Sequence, residues 1–122
     1  MILVDTSIWI DHLRADDAIL ARLLDEAKVV IHPFIIGEIA LGNLRARHVV
    51  LATLAKLPHA AAASNEEILH FVTAHSLSGL GIGLVDVHLL AATCLTGDLA
   101  LWTRDEKLLA VASRLGVAAT IA

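Results

Sequence analysis

A chain of 122 residues has room for one domain, because single hydrophobic cores usually close at roughly 100–150 residues. Hydrophobic residues make up 57% of the chain and charged residues only 18%, which excludes a disordered protein. The net charge of -4 and an aromatic content of 3% exclude nucleic-acid binding by charge alone or by base stacking. A nucleic-acid partner would need metal ions or a local basic patch.

The sequence also favours a cytoplasmic location. The single cysteine, Cys94, cannot form an internal disulfide, which suits a reducing compartment. Asp5 interrupts the first apolar run too early for a signal peptide, so we expect none. The longest stretch without Lys, Arg, Asp or Glu, residues 68–85, contains three glycines and two histidines and is a poor membrane span. We therefore expect no membrane association.

Short apolar runs alternate with helical patterns along the first half of the chain. The predicted order is a strand over 2–5, a helix carrying Ile8, Trp9 and Leu13, a helix capped by Asp16 or Asp17, a strand over 29–31, and helices over 33–45 and 47–57.

The second half continues this alternation to the end of the chain. We predict an extended segment over 60–63, a helix opened by the capping box at Ser64 and running to 77, a loop over 78–83, a helix over 84–96, a strand over 99–103, a helix over 104–115 and a strand over 117–121. Alternating strands and helices are typical of an α/β domain with a mainly parallel sheet, and we expect one domain over 1–122.

Two aspartates lie where a parallel sheet binds ligands. Asp5 ends the first strand and Asp105 follows the strand that ends at Thr103. In open α/β sheets, ligands bind beyond the carboxyl ends of the strands. A helix N-cap is the alternative role for either aspartate.

Two further acids lie in apolar surroundings. Glu38 is placed among residues 34–41, and Asp86 stands between Val85 and Val87. An ionised carboxylate in an apolar environment costs several kcal/mol unless it is paired or binds a metal. A surface-facing or salt-bridged acid is the alternative at each position.

Four carboxylates that converge on one pocket repel one another unless a hard cation lies between them. Mg²⁺ or Mn²⁺ suits such oxygen ligands and can assist phosphodiester hydrolysis. The acids therefore predict a metal-dependent phosphodiesterase. The seven histidines show no HExxH-type spacing, which disfavours a zinc site.

Four segments taken together resemble a known family. They are MILVDTSIWIDHL at 1–13, IGEIALG at 36–42, LVDVHLLAATCL at 84–95 and LWTRDEKL at 101–108. In this order, over essentially the whole chain, they resemble PIN-domain ribonucleases, and more narrowly the VapC-type toxins of toxin–antitoxin pairs.

The resemblance implies a site, a fold and partners. Asp5, Glu38, Asp86 and Asp105 would form the acidic metal site, with Thr6 orienting Asp5 or a metal-bound water and Thr103 acting similarly. The implied fold is a three-layer α/β/α sandwich on a mainly parallel five-stranded sheet. The implied activity is Mg²⁺- or Mn²⁺-dependent RNA cleavage by a homodimer that a cognate antitoxin inhibits.

Three polar residues near these motifs have open roles. Arg104 and Arg45 could each hold an RNA phosphate, or could be solvated or ion-paired surface residues. His88 stands where a small or apolar residue is more usual in the family and would make the pocket wall more polar.

Several apolar side chains exceed what one small sheet needs to cover, and they suggest a dimer surface. These are Ile35, Ile36, Ile39, Val49, Val50 and Leu54.

Other functions fit less well. A phosphotransfer receiver domain needs an acceptor Asp at its third strand, but residues 60–63 contain none. A haloacid-dehalogenase-type phosphatase needs Asp-x-Asp, but Ser7 occupies the second position. Rossmann and P-loop proteins need an early glycine-rich loop, and no glycine precedes Gly37. The alternative from another class is a non-catalytic α/β module whose acids bind a basic partner segment.

Overall fold

The computed structural model describes residues 1–121, which form an α/β fold with three strands and seven helices. The strands are β1 (Ile2–Val4), β2 (Val29–Val30) and β3 (Ala100–Trp102). The helices are α1 (Thr6–Arg14), α2 (Ala18–Asp25), α3 (Pro33–Ala40), α4 (Arg47–Ala55), α5 (Asn65–Ala74), α6 (Leu84–Leu95) and α7 (Glu106–Arg114). The predicted α/β class and parallel sheet are confirmed.

The sheet has the order β2-β1-β3, and both pairs are parallel. In this register Ile2 lies opposite Val29 on one side and Ala100 on the other. The chain passes from β1 to one neighbour and later returns to the other, so strand order reverses at β1. Ligands bind at such a reversal, beyond the carboxyl ends of the strands. The topology therefore predicts a ligand-binding site at the carboxyl end of β1.

The sheet is extended at both edges by isolated parallel bridges, from Ile31 to His59 and from Leu101 to Ala118. The prediction of five full strands is not confirmed, because the described residues form strands only at β1, β2 and β3. At one edge the contact falls at His59, just before the predicted segment 60–63. Pro58 accepts a bond from Ile31 but has no N–H to donate, which limits that ladder.

The core lies on the sheet and includes most of the predicted apolar positions. Trp9 and Trp102 are buried. Ile35, Ile39 and Leu54 are buried, so their assignment to a dimer surface is wrong, because α3 and α4 turn these side chains toward the core. Val49, in contrast, is 67% exposed.

Several helices end earlier than the sequence pattern predicts. Helix α3 stops at Ala40 instead of continuing to 45, and the Gly42 N–H donates to the Ile39 carbonyl three residues back in place of the four-residue bond of an α-helix. The guanidinium of Arg47 then donates to the carbonyl of Ala40 at 2.5 Å and satisfies that exposed helix end. Helix α7 begins at Glu106, two residues later than predicted.

Within residues 1–121, we find no helix with the length and hydropathy that a membrane crossing requires.

Candidate active site

Asp5 lies at the carboxyl end of β1, at the centre of the sheet, and is only 6% exposed. Its backbone N–H donates to the carbonyl of Trp102 at 2.9 Å, which ties the ends of β1 and β3 together. Its Oδ2 accepts bonds from Thr103 Oγ1 at 2.7 Å and Ser7 Oγ at 2.8 Å. Two hydroxyl groups therefore fix the orientation of this buried carboxylate.

Thr103 was expected to orient a site acid, and the structure places it on Asp5. Ser7 makes the same kind of contact, although no role was predicted for it. The signal was present, because a hydroxyl two residues after an Asp at a helix start often bonds back to it. The Oγ of Ser7 also accepts the backbone N–H of Arg104 at 3.2 Å, and Thr103 Oγ1 accepts that of Asp105 at 3.0 Å. These bonds join the start of α1 to the start of α7.

Glu38 comes to the site from the last turn of α3 and is exposed. Its Oε1 accepts a 2.6 Å hydrogen bond from Thr6 Oγ1, at the first residue of α1. Thr6 was expected to orient Asp5 or a metal-bound water, and in the structure its hydroxyl donates to Glu38. This bond connects the two helices beside the end of β1.

Asp86 lies in the first turn of α6 and is half-buried. Its Oδ2 accepts the backbone N–H of Gly83 at 3.1 Å. Burial raises the pKa of the Asp86 carboxyl, although the bond from Gly83 lowers it. The negative charges of Asp5, Asp105 and Glu38 raise this pKa further. The other three acids thus lie within electrostatic range of Asp86.

Asp105 is exposed and serves as the N-cap of α7, since its Oδ1 accepts the backbone N–H of Leu108 at 2.9 Å. The alternative role as a helix cap therefore applies to Asp105. Asp5 also precedes a helix, but its side chain makes no capping bond there. Instead, its Oδ2 accepts the bonds from the hydroxyl groups of Thr103 and Ser7.

All four carboxylates are bonded to neutral donors only. Across residues 1–121, none of them forms an ion pair with Lys, Arg or His. Four uncompensated carboxylates have the oxygen chemistry that Mg²⁺ or Mn²⁺ requires, so the donor set fits a hard cation. In the same residues, no group of three or more Asp, Glu, His or Cys side chains is already arranged to ligate a metal. Each carboxylate instead accepts bonds from its own hydroxyl or backbone N–H donors.

Arg104 stands beside these acids but is bound elsewhere. Its guanidinium donates to Asp11 Oδ2 at 2.7 Å and to Asp17 Oδ2 at 2.5 Å. These bonds raise the pKa of Arg104 and lower that of Asp17. The group also lies 5.5 Å from the centre of the Trp102 ring. Of the two alternatives for Arg104, the structure shows the ion-paired residue.

His88 is buried and packs edge-on against Phe34, with ring centres 4.5 Å apart, and lies 6.0 Å from the ring of His32. Burial lowers the pKa of His88. Arg45 lies in the loop between α3 and α4 and is exposed. The structure thus places the predicted polar residues in three different environments.

Comparison with known proteins agrees with this geometry. The family model described as PIN domain matches residues 2–114. Two curated relatives, both named Ribonuclease VapC32, come from the CDC 1551 / Oshkosh and ATCC 25618 / H37Rv strains of Mycobacterium tuberculosis. Each is 47% identical over 118 residues, which cover 97% of this chain and 95% of the relative. The chain therefore belongs to the PIN domain family and is a VapC-type PIN ribonuclease by sequence.

Proposed function

We propose that this protein is a metal-dependent endoribonuclease and the toxin of a toxin–antitoxin pair. The observation that carries the proposal is the group of four uncompensated acids at the end of β1. The ribonuclease name of the 47% identical relatives supports RNA as the substrate.

In this proposal Asp5, Glu38, Asp86 and Asp105 hold one or two Mg²⁺ or Mn²⁺ ions. A bound ion would supply Lewis-acid stabilisation of the phosphoryl oxygens and lower the pKa of an attacking water. The protein holds the acceptors in place for this chemistry. Thr103 and Ser7 fix Asp5, and Thr6 fixes Glu38. Because Glu38 and Asp105 are exposed, their side chains have room to adjust toward a cation.

The test is RNA cleavage by purified protein in Mg²⁺, in Mn²⁺ and in EDTA. Asp86→Asn keeps the size of the side chain but removes its charge. We expect cleavage to need the metal and to fall at least about 100-fold in Asp86→Asn, because several kcal/mol of charge stabilisation are lost. Asp16→Asn is the matched control, since Asp16 is an exposed acid outside the site. Equal cleavage by Asp86→Asn and wild type would remove Asp86 from the mechanism.

The second candidate is a non-catalytic module whose acids bind a basic partner segment. It is based on the finding that the described residues hold no ready-made group of three or more metal ligands, which binding of an Arg side chain does not require. Folded protein that binds no metal and cleaves no RNA, but binds an Arg-rich peptide through Asp86, would establish this alternative.

We also propose the remaining features of the family resemblance. A cognate antitoxin and a second copy of the chain are the expected protein partners, and the cytoplasm is the expected location. The apolar surface available for such partners includes Leu41 and Val49, which are 90% and 67% exposed. The edge bridges at His59 and Ala118 support a five-stranded sheet in a three-layer sandwich, within one domain.

A further inference from the structure

A groove of about 750 Å³ lies between α1 and the segment that joins α3 to α4. Its apolar part includes Ile10 and Leu13 on one wall and Val50 on the other. Its charged groups are Arg14, at the end of α1, and Arg45, in the connecting loop. The groove thus combines aliphatic surface with two guanidinium groups.

The walls of this groove lie on α1 and just after α3, the two helices that carry Thr6 and Glu38. Ile10 follows Thr6 by one helical turn on the same face of α1, and Arg14 lies a further turn along. At 1.5 Å per residue, Arg14 is about 12 Å along the helix from Thr6. On the other wall, Gly42 lies two residues beyond the end of α3 and four residues after Glu38. Since Thr6 is bonded to Glu38, the groove leads away from that contact.

The two arginines differ from Arg104 in their electrostatic environment. Arg104 is neutralised by two aspartates, and Arg22 is paired with Glu26. Neither Arg14 nor Arg45 has a carboxylate partner among the residues that the structure describes. In a chain of net charge -4, two exposed and unpaired guanidinium groups on one groove form a local anion-binding surface.

We propose that this groove binds the RNA strand beside the cleavage site, with Arg14 and Arg45 each contacting a backbone phosphate. The inference rests on the proposed ribonuclease function and adds the surface that holds the substrate. RNA combines negative phosphates with apolar ribose and base faces, which match the two guanidinium groups and the aliphatic walls of the groove. Guanidinium groups bind phosphate through paired N–H donors, and riboses and bases can pack on the aliphatic walls. Such contacts would compensate for the repulsion between RNA and the acids.

The test is fluorescence anisotropy with a labelled single-stranded RNA of random sequence. It uses the Asp86→Asn protein in EDTA, which prevents cleavage during the measurement. Arg14→Gln and Arg45→Gln should each raise Kd about tenfold, as expected for one charge-assisted contact. Each should also reduce the slope of log K against log[salt] by about 0.7. Arg22→Gln removes the same charge outside the groove and should change neither quantity.

The outcomes separate this inference from the proposed function. Unchanged Kd and salt slope in both groove variants overturn the inference, even where wild-type cleavage requires metal and Asp86. Weakened RNA binding in these variants supports the groove, even where no metal-dependent cleavage is found. A second readout is the molar mass from light scattering. If Arg14→Gln or Arg45→Gln converts a dimer to a monomer, the groove is an interface between copies and the inference is wrong.

Discussion

Two groups of carboxylates lie near α1, and their negative charges are balanced in opposite ways. Asp11 and Asp17 share the guanidinium of Arg104, and the bond from Arg104 lowers the pKa of Asp17. At the end of β1, Asp5 and Asp86 receive bonds from hydroxyl and backbone N–H groups only. Burial, followed by the neighbouring acids, raises the pKa of Asp86.

The difference shows which acids serve the structure and which remain available. Both carboxylate oxygens of Asp17 bind groups within the fold, because Oδ1 caps α2 and Oδ2 pairs with Arg104. The site acids are oriented but not neutralised, so their mutual repulsion persists in the folded protein. Such unbalanced charge opposes folding and favours cation binding. Metal, pH and charge substitution can each test this distinction.

The largest expected effect is stabilisation by metal. Mg²⁺ or Mn²⁺ at about 100 times its Kd should raise the free energy of unfolding of the wild type by about 2.7 kcal/mol. In Asp86→Asn the increase should be much smaller, because one ligand is missing. In EDTA, Asp86→Asn should be more stable than the wild type, since the substitution relieves repulsion among the site carboxylates. Thermal unfolding in metal and in EDTA measures both effects.

Asp16→Asn is the control for this experiment and should respond to metal as the wild type does. A lower melting temperature of Asp86→Asn in EDTA would contradict the prediction. It would show that Asp86 stabilises the metal-free fold, through its bond from Gly83, more than repulsion destabilises it.

The second effect concerns His32, a buried histidine that stays neutral in the folded protein. His32 caps α3 through Nδ1, which accepts the N–H of Phe34, while Nε2 has no partner within residues 1–121. Burial first, and then the neighbouring His88 and His59, lower the pKa of His32 to about 4. The unfolded chain, with a His pKa near 6.5, binds more protons between these values. Stability is therefore complete above pH 6.5 and is lost as pH falls toward 4.

Between pH 7 and 5, His32 should reduce the free energy of unfolding by about 2 kcal/mol. His32→Asn keeps a capping acceptor but cannot titrate, so most of this pH dependence should disappear. The buried His88 contributes a remainder of the same sign, because its pKa is also lowered. His48→Asn is the matched control on the exposed side of α4. Urea unfolding at both pH values measures this change in the free energy of unfolding. The same change in His32→Asn as in the wild type would refute the prediction.

Local sequence signals predicted most of the fold correctly. The capping box at Ser64, the cap at Asp17 and the start of α3 at residue 33 all form as expected. These signals depend on residues that are close in the chain. The end of α3 was not predictable in this way, because Arg47 reaches back to the carbonyl of Ala40 from the next helix. The burial of Ile35 and Ile39 likewise depends on how α3 packs.

The site shows the same division between local and tertiary information. The position of Asp5 and Asp105 after strands predicted that they lie near each other, because parallel strands end at one edge. The hydrogen-bond partners could not be predicted, since Thr6 and Glu38 are joined only by the packing of α1 on α3. In the same way, nothing local to Arg104 shows that Asp11 and Asp17 bind it.

The smallest effect is expected in the paired region. Arg104→Gln leaves Asp11 and Asp17 without their cation and should lower the free energy of unfolding by about 1 kcal/mol, because the Arg104 side chain is 39% exposed and partly screened. Arg22→Gln, which breaks a solvent-exposed ion pair with Glu26, should lower the free energy of unfolding by only about a few tenths of a kcal/mol. The difference should shrink at high salt. Urea unfolding at low and high ionic strength measures it.

The same variant also separates the two groups of acids. Since Arg104 compensates Asp11 and Asp17 and not the site carboxylates, Arg104→Gln should keep the full wild-type response to Mg²⁺. A lost metal response would show that the Arg104 pairs hold the end of β1 in place, through the bond from the Arg104 backbone to Ser7. An enlarged response would show that Asp11 or Asp17, once freed, joins the cation site. Only an unchanged response means that the protein keeps its neutralised and available acids electrostatically independent.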